Sequence, residues 1–445
     1  MYQDTIAAIS TPLGEGGIGI VRLSGKGARS IAETLFRGKI SHRHLGYGHI
    51  VDPDHGETID EVLVCYMAAP HTYTREDVVE INCHGGSLPL QRILQLVLRY
   101  GARLAHPGEF TLRAFLNGRI DLAQAESVLD IVRARTEASL RLAVQGLEGR
   151  LSEAVRSIRS QLMSALAYLA ARIDFPDDDI EPQDIVPPLR QVLQELRQLI
   201  TTADSGIVYR QGVRTAIVGR PNVGKSSLLN RLLRQDRSIV TPIPGTTRDT
   251  IEEVVNLKGV PFLLVDTAGI IHSQDPVESL GIERSRKAIE VADLVLLVID
   301  TGQPLTEADR EILVLIGNKP TLVAANKCDL PRQAELGGLR WEVVFTSALT
   351  GEGLAPLEER MVNLALGGKV SVSDAPIVNN PRHKDALERA ERDLSQALAG
   401  LVSGIPDDFI TIDLTAALNA LGEITGETVQ EDLLETIFSR FCVGK

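Results

Sequence analysis

Three rhythms of apolar positions run along this chain. Residues 1–118 show short apolar runs broken by glycines. Ile18-Gly19-Ile20-Val21, closed by Arg22, is typical, and one amphipathic stretch lies near 89–100. This texture predicts a small α/β domain. Residues 119–209 differ: Leu151, Val155, Ile158, Leu162, Leu166 and Leu169 recur every three or four positions, the stripe of a long amphipathic helix. Leu189, Val192, Leu193, Leu196 and Leu199 repeat it after an acidic, proline-containing loop, and Leu387, Ala390, Leu394, Ala397 and Leu401 repeat it beyond residue 370. Helices this apolar on one face need partners. The simplest packing joins both helical segments in one bundle, with residues 210–369 as an inserted domain and 370–445 as the returning helical part. In the insert, apolar runs at Thr215–Val218, Phe262–Val265, Leu294–Ile299, Thr321–Ala325 and Val343–Thr346 alternate with helical stretches. That pattern predicts a parallel sheet covered on both faces, with ligands at the carboxyl ends of its strands. The expected class is multidomain α/β plus all-α.

Length and charge refine this picture. A chain of 445 residues is long enough for several domains, and 44% hydrophobic residues without an apolar run of ~18 exclude a membrane span. No basic-then-apolar leader opens it, and Cys65, Cys83, Cys328 and Cys442 are scattered, which predicts reduced thiols in a cytoplasm. Residues 119–209 and 370–445 together hold 16 Lys/Arg against 27 Asp/Glu, so −11 of the formal net charge of −13 sits in the helical segments. Such charge repels a phosphate backbone and argues against an unaided nucleic-acid surface there. It suits either a solvated exterior or a basic protein partner.

The candidate chemistry starts at Gly219–Ser226, GRPNVGKS, directly after a strand signal. Gly219 and Gly224 let successive N–H groups converge on phosphate oxygens, Lys225 brings a point charge, the Ser226 hydroxyl suits Mg²⁺, and a helix from Ser227 adds its positive end. Asp266-Thr267-Ala268-Gly269 follows the Phe262–Val265 run. Asp266 can reach Mg²⁺ through water, and Gly269 lets an N–H approach the terminal phosphate. Asn326-Lys327-Cys328-Asp329 ends another strand. The Asp329 carboxylate can accept from both N1–H and N2–H₂ of guanine, a donor pair adenine lacks. Ser347 and Ala348 can hold the base's O6 through backbone N–H. Gly245-Thr246-Thr247-Arg248-Asp249 lies where a first switch belongs, with Thr247 a second hydroxyl for Mg²⁺. Ile270 and Ile271 stand where a water-orienting Gln is usual, so catalysis needs another group.

These elements in order resemble a Ras-like GTPase domain that binds GTP. The whole chain resembles the MnmE (TrmE) family of tRNA wobble-uridine modification GTPases. The resemblance rests on DTIAAISTPLGEGGIGIVRLSG near the start, PGEFTLRAFLNGRIDLAQAE at 107–126, the GTPase motifs, and FCVGK at the end, where Val443 replaces the family's usual Ile. It implies a K⁺-dependent GTPase that works with a flavoprotein, MnmG, to add an aminomethyl-type group at carbon 5 of the wobble uridine. Asn222, Thr241, Ile243 and Thr246 would ligate K⁺, and Glu278 would orient the attacking water. The resemblance also implies a homodimer built by a folate-binding N-terminal domain of residues 1–118. There Arg22, Glu80, Arg119 and Lys445 would contact 5-formyltetrahydrofolate. Arg119 departs from the family's usual Lys, which keeps the charge and changes the geometry. Taken alone, each of these four reads as a surface ion-pair member. Cys442 has two readings, a buried hydrophobe after a C-terminal helix or a group beside the folate. tRNA contact would come mainly through the complex. Two rival functions remain, a ribosome-assembly GTPase of Era or EngA type and a folate-binding scaffold with a regulatory GTPase. The absence of a second phosphate loop argues against EngA, and the absence of a basic C-terminal G-x-x-G module argues against Era.

Overall fold

Strands whose side chains alternate between two environments build both sheets of this protein. The computed structural model describes residues 4–12, 14–175, 180–235, 253–265, 278–368 and 377–445. Among these residues two compact units separate, one gathering the chain up to Leu129 with Leu421–Lys445, the other holding the stretch from Asp130 to Ala420.

The first unit carries seven strands: β1 (Ile6–Ile9), β2 (Gly16–Ser24), β3 (Phe36–Gly38), β4 (Leu45–Val51), β5 (Thr58–Met67), β6 (Val78–Gly85) and β7 (Arg103–Leu104). They lie in the order β3-β4-β5-β6-β2-β1-β7, antiparallel throughout except for the β1–β7 pair. On β6, Val79, Ile81 and Cys83 enter a core shared with the helices Ala28–Leu35 and Ser87–Arg99, as period-two alternation requires. Glu80, Asn82 and His84 take the other face. The helix Ser87–Arg99 matches the amphipathic stretch expected near 89–100. Phe438 and Phe441, near the C-terminus, pack with Ala114, Ile120, Leu122, Ala125 and Leu129.

The second unit holds β8 (Val213–Val218), β9 (Glu253–Leu257), β10 (Val260–Val265), β11 (Leu294–Asp300), β12 (Thr321–Asn326) and β13 (Glu342–Phe345), in the order β13-β12-β11-β8-β10-β9. Every pairing is parallel except the β9–β10 hairpin at the edge. Both faces are covered. Leu294, Leu296 and Val298 of β11 join one apolar cluster, and Val295, Leu297 and Ile299 join the other.

The helical stripes form as expected, with two shifts. Arg150–Asp174 is one helix, but Ala165 is buried where the stripe named Leu166, which is half-buried. Counting four residues back from Leu169 and three on from Leu162 meets Ala165, so helical phase decides over side-chain size. Likewise Leu398 is buried in Pro381–Ser403 while Leu401, near its end, is half-buried. The helix Val186–Gln211 packs on Pro381–Ser403, so these two parts of the separated helical segments do meet. Arg197 pairs with Glu391 and Lys384 with Asp204 along the seam. Gly206 makes the approach possible, since a Cβ there would lie 2.1 Å from the Val378 carbonyl. Asn380 caps the second helix, accepting from Arg382 N at 3.0 Å, and Pro381 opens it. Among the described residues no helix is long and apolar enough to cross a membrane.

Candidate functional site

β8 runs straight into the phosphate-loop motif. Gly219 (φ +151°) is fixed as glycine by contact: a Cβ would lie 2.3 Å from the Val298 carbonyl. Gly224 (φ +98°) is fixed in the same way by Asn326, whose Nδ2 would be 2.3 Å from that Cβ. The following helix begins at Lys225, two residues before the expected Ser227, because Gly224 already makes the turn and Leu228 N donates back to its carbonyl at 2.9 Å. Ser226 and Ser227 are exposed in its first turn, where N–H groups point outward. Lys225 Nζ donates across the loop to the carbonyls of Gly219 (2.6 Å) and Arg220 (2.8 Å). Burial pushes its pKa down to about 8.

The base-reading loop is strapped to the phosphate loop. Asn326, almost fully buried, donates through Nδ2 to Val223 O at 2.8 Å, and its Oδ1 accepts from Ala348 N at 3.0 Å. Lys327, with φ +64°, donates to Asn222 O (2.9 Å) and to Asp300 Oδ2 (2.8 Å). Asn222 itself has φ +62° and is exposed. The short polar side chain of Asn makes that conformation accessible. Asp329 is exposed, and the buried Ser347 hydroxyl donates to its Oδ1 while accepting from Thr350 N at 3.1 Å. One difference from expectation appears here. The N–H groups of Ser347 and Ala348 donate within the protein, to Glu352 O and Asn326 Oδ1, so Ser347 serves this pocket through the hydroxyl that aims Asp329.

Three residues that sequence reasoning passed over complete the frame. Asp300, closing β11, anchors Lys327, and Thr301 donates to the carbonyls of Asn326 and Lys327. Arg220 Nε lies 3.3 Å from the buried Asp309, which fixes the loop's first turn to the helix Glu307–Ile316. The available signal was Asp300-Thr301, a polar pair ending an otherwise apolar strand. Thr241, Ile243, Thr246, Thr247, Asp266 and Gly269 lie outside the described residues. Glu278 opens the helix Glu278–Val291. The described donor set fits a Mg²⁺-nucleotide: a glycine-permitted curl of backbone, a helix N-terminus, a buried lysine and an aimed carboxylate.

A second constellation sits in the first unit. Arg22 on β2 stands opposite Glu80 on β6, and the side chains pair at 2.8 Å. The C-terminal tail folds back onto this pair. Gly444 O accepts from Arg22 Nη1 (3.4 Å) and from Ser10 Oγ (3.3 Å). Gly444 (φ +99°) has no room for a Cβ, which would lie 2.4 Å from Ile9 O. Lys445 is thereby drawn beside Arg22; burial, with Arg22's like charge adding to it, holds its pKa below the usual lysine value. The Arg119 guanidinium lies 4.6 Å over the Tyr73 ring, whose hydroxyl is 2.9 Å from Thr111 Oγ1. Phe110, 5.9 Å beneath the Arg22 guanidinium, shares an apolar cluster with Tyr73 and so bridges the two arginines. Cys442 is exposed, which overturns its reading as a buried hydrophobe: Phe441 beside it fills the apolar site instead.

Family models described as the GTP-binding protein TrmE N-terminus and the MnmE helical domain match residues 5–119 and 122–442. The tRNA modification GTPase MnmE of Chloroflexus aurantiacus is 54% identical, covering all of both chains. Proteins of the same description from a Roseiflexus species (52%, all of both chains) and Geobacillus kaustophilus (48%, 99% of each) are also similar. The G domain of the T. maritima iron transporter FeoB is 32% identical over 34% of this chain and 98% of its own, at a TM-score of 0.26, too low to carry an argument. Two family models spanning both units, and relatives matched end to end at about half identity, place the chain in the MnmE family of tRNA modification GTPases.

Proposed function

We propose that this GTPase is K⁺-dependent and acts with a flavoprotein partner, MnmG, to add an aminomethyl-type group at carbon 5 of the tRNA wobble uridine, drawing on a folate one-carbon donor. The observation that carries this reading is the tail: FCVGK folds back so that Gly444 and Lys445 meet Arg22, gathering two cations beside Glu80 in a unit separate from the nucleotide site. A GTPase whose only business was ribosome assembly has no evident use for it.

In this reading Lys225 and the N–H groups from Asn222 to Ser227 hold the phosphates of GTP, with Gly269 near the last of them. Asp329, aimed by Ser347, selects guanine, while Asn326, Lys327 and Ala348 keep its loop in place. Mg²⁺ would be held by Ser226 and Thr247, with Asp266 through water. K⁺ would be held by Asn222, Thr241, Ile243 and Thr246, and would supply the positive charge that an arginine finger supplies elsewhere. The exposed, left-handed Asn222 supports this, because its side-chain oxygen is a hard ligand turned outward from the loop. Glu278 is assigned to orient the attacking water.

Glu80 suits the donor edge of the pterin in 5-formyltetrahydrofolate; Arg22, paired with Glu80, and Lys445 beside it would stand at that same end, and Arg119 suits the glutamyl carboxylate. Cys442 is assigned a place beside that ligand. The N-terminal domain, 1–118, is read as the homodimer contact; the exposed Leu45, Tyr47, Leu63 and Ile18 on its sheet support this. The remaining divisions are 119–209 and 370–445 as one helical domain and 210–369 as the inserted GTPase domain. The protein is assigned to the cytoplasm, its acidic helical segments facing a basic partner that supplies most tRNA contact. Mass spectrometry of tRNA from cells lacking this chain tests the reading: an unmodified wobble uridine is expected, and normal tRNA with defective ribosomal subunits would reject it. Equal GTP hydrolysis in K⁺ and Na⁺ would reject the cation assignment.

A further inference from the structure

The hairpin β9–β10 lies in sequence between the motif at Gly245–Asp249 and the one at Asp266–Gly269, so it joins the two segments assigned to sense the nucleotide. Its turn is made by Lys258 (φ +49°) and Gly259 (φ +92°). Asn256 holds the turn from inside, accepting from Gly259 N at 2.9 Å. The Gly259 carbonyl points the other way and accepts from Thr136 Oγ1 at 2.8 Å.

Thr136 caps the helix Glu137–Leu147, its Oγ1 accepting from Ser139 N at 3.1 Å. The Ser139 hydroxyl reaches Tyr209 O, in the last turn of Val186–Gln211, at 2.6 Å. The two hydroxyl oxygens are themselves 2.7 Å apart. Thr136, Ser139 and Tyr209 are all buried, and Gly259 is half-buried.

Each hydroxyl has one hydrogen. Two hydrogens therefore serve three short contacts: Thr136 to Gly259, Ser139 to Tyr209, and Thr136 to Ser139. With Thr136 donating to Gly259 the hairpin is tied to the helices. With the Thr136 hydrogen turned onto Ser139 the hairpin is untied, and both hydroxyls still donate. Leu142 and Tyr209 pack in one apolar cluster with Leu257, Val260 and Phe262, which keeps the partners in register in either arrangement. A hydrogen bond contributes only about 1 kcal/mol net, so exchange between the two is within reach of a nucleotide's binding energy.

We propose that the Thr136–Ser139 hydroxyl pair is a releasable latch that couples the hairpin between the nucleotide-sensing segments to the helical segments, with both residues acting as positioning residues for turnover. The proposal rests on the assignment of those flanking segments. Hydrogen–deuterium exchange on the full-length protein tests it, comparing GDP with a non-hydrolysable GTP analogue over residues 253–262 and 137–147. In the unaltered chain both segments should exchange differently in the two states. Thr136→Val should speed exchange of the hairpin roughly fivefold in both states, the fold-change of one net hydrogen bond, and should abolish the difference between them. Thr136→Ser should restore that difference. Ser139→Ala leaves the Thr136 hydrogen only Gly259 O, so it should slow hairpin exchange, opposite in sign to Thr136→Val. A nucleotide response unchanged by Thr136→Val, or faster exchange in both variants, would reduce the pair to a helix cap and overturn the proposal. No response in the unaltered hairpin would overturn it together with the segment assignment. Exchange over 219–226 tells either failure from failed nucleotide binding.

Discussion

The nucleotide cradle and the tail cluster around Arg22, the proposed folate recess, both gather cations, but they are assembled in different ways. In the cradle, Gly219 to Ser227 supply loop, lysine and helix end in nine consecutive positions, and distant residues only brace them. In the tail cluster the contacts that assemble it are long-range: Arg22 meets Glu80 across a strand pair and meets Gly444 across nearly the whole chain. A local site survives as long as its own turn survives. A composite site depends on the docking of a terminus, so it can be lost while the fold and the cradle stay intact. Glycine does the same work in both, admitting a backbone or side-chain atom where a methyl group would collide.

Breaking each glycine should therefore separate the two sites. The largest effect is expected for Gly224→Ala, whose Cβ would lie 2.3 Å from Asn326 Nδ2 at a φ of +98°. Loss of about 3 kcal/mol, roughly 100-fold in GTP affinity, should follow. Fluorescent-nucleotide titration measures it, and folate binding should be unchanged. Gly444→Ala is the counterpart. Its Cβ would lie 2.4 Å from Ile9 O, so the tail must lift from Arg22. A loss of roughly tenfold in 5-formyltetrahydrofolate affinity by calorimetry, with GTP hydrolysis intact, is expected. Parallel loss of both activities in either variant would end the claim that the sites fail independently. Ser347→Ala sharpens the comparison inside the cradle by removing the hydroxyl that aims Asp329. Preference for GDP over inosine diphosphate should fall roughly fivefold, since inosine lacks the N2 donors that the carboxylate meets. An unchanged preference would mean that Asp329 needs no aiming.

The same contrast explains what could be read from the residues alone. The cradle was legible because template spacing encodes its geometry, down to the strand before it and the helix after it. Five of the six described strands in the second unit were legible too, their ends moving by one or two residues where Val213, Val260 and Asn326 extend the pairing, but the antiparallel edge strand β9 was not expected. The helical stripes were legible in period, but at Ala165 the larger Leu166 drew attention away from the correct phase. The recess was another matter. Its residues were named through family resemblance, and nothing in local pattern says that Gly444 touches Ile9 and Arg22. Bracing residues were hard to read for a related reason: Asp300 acts through one ion pair with Lys327, and Thr136 and Ser139 act through single bonds to carbonyls, all with partners far away in sequence. Polar residues of that kind carry no periodicity and are recognised only once the fold brings their acceptors to them.

The smallest expected effect concerns the one cation in the cradle whose burial alters its proton affinity. Burial favours the neutral amine of Lys225, so its pKa in the fold is about 8, against 10.5 for an ordinary lysine. Between those values the unfolded chain binds more protons than the folded one, so this residue's contribution to stability rises with pH across that window. Nucleotide affinity must run the other way. A diphosphate is held by the ammonium form, so above pH 8 binding takes up a proton, and each further rise in pH opposes it. From pH 7.0 to 8.5 the protonated fraction of a group with that pKa falls about fourfold, and GDP affinity should fall by the same factor. Titrations in two buffers of different ionisation heat at pH 8.5 should show uptake of about three-quarters of a proton per nucleotide. Affinity that is flat over this range, with no uptake, would mean that Lys225 stays charged in its bridge to the Gly219 and Arg220 carbonyls.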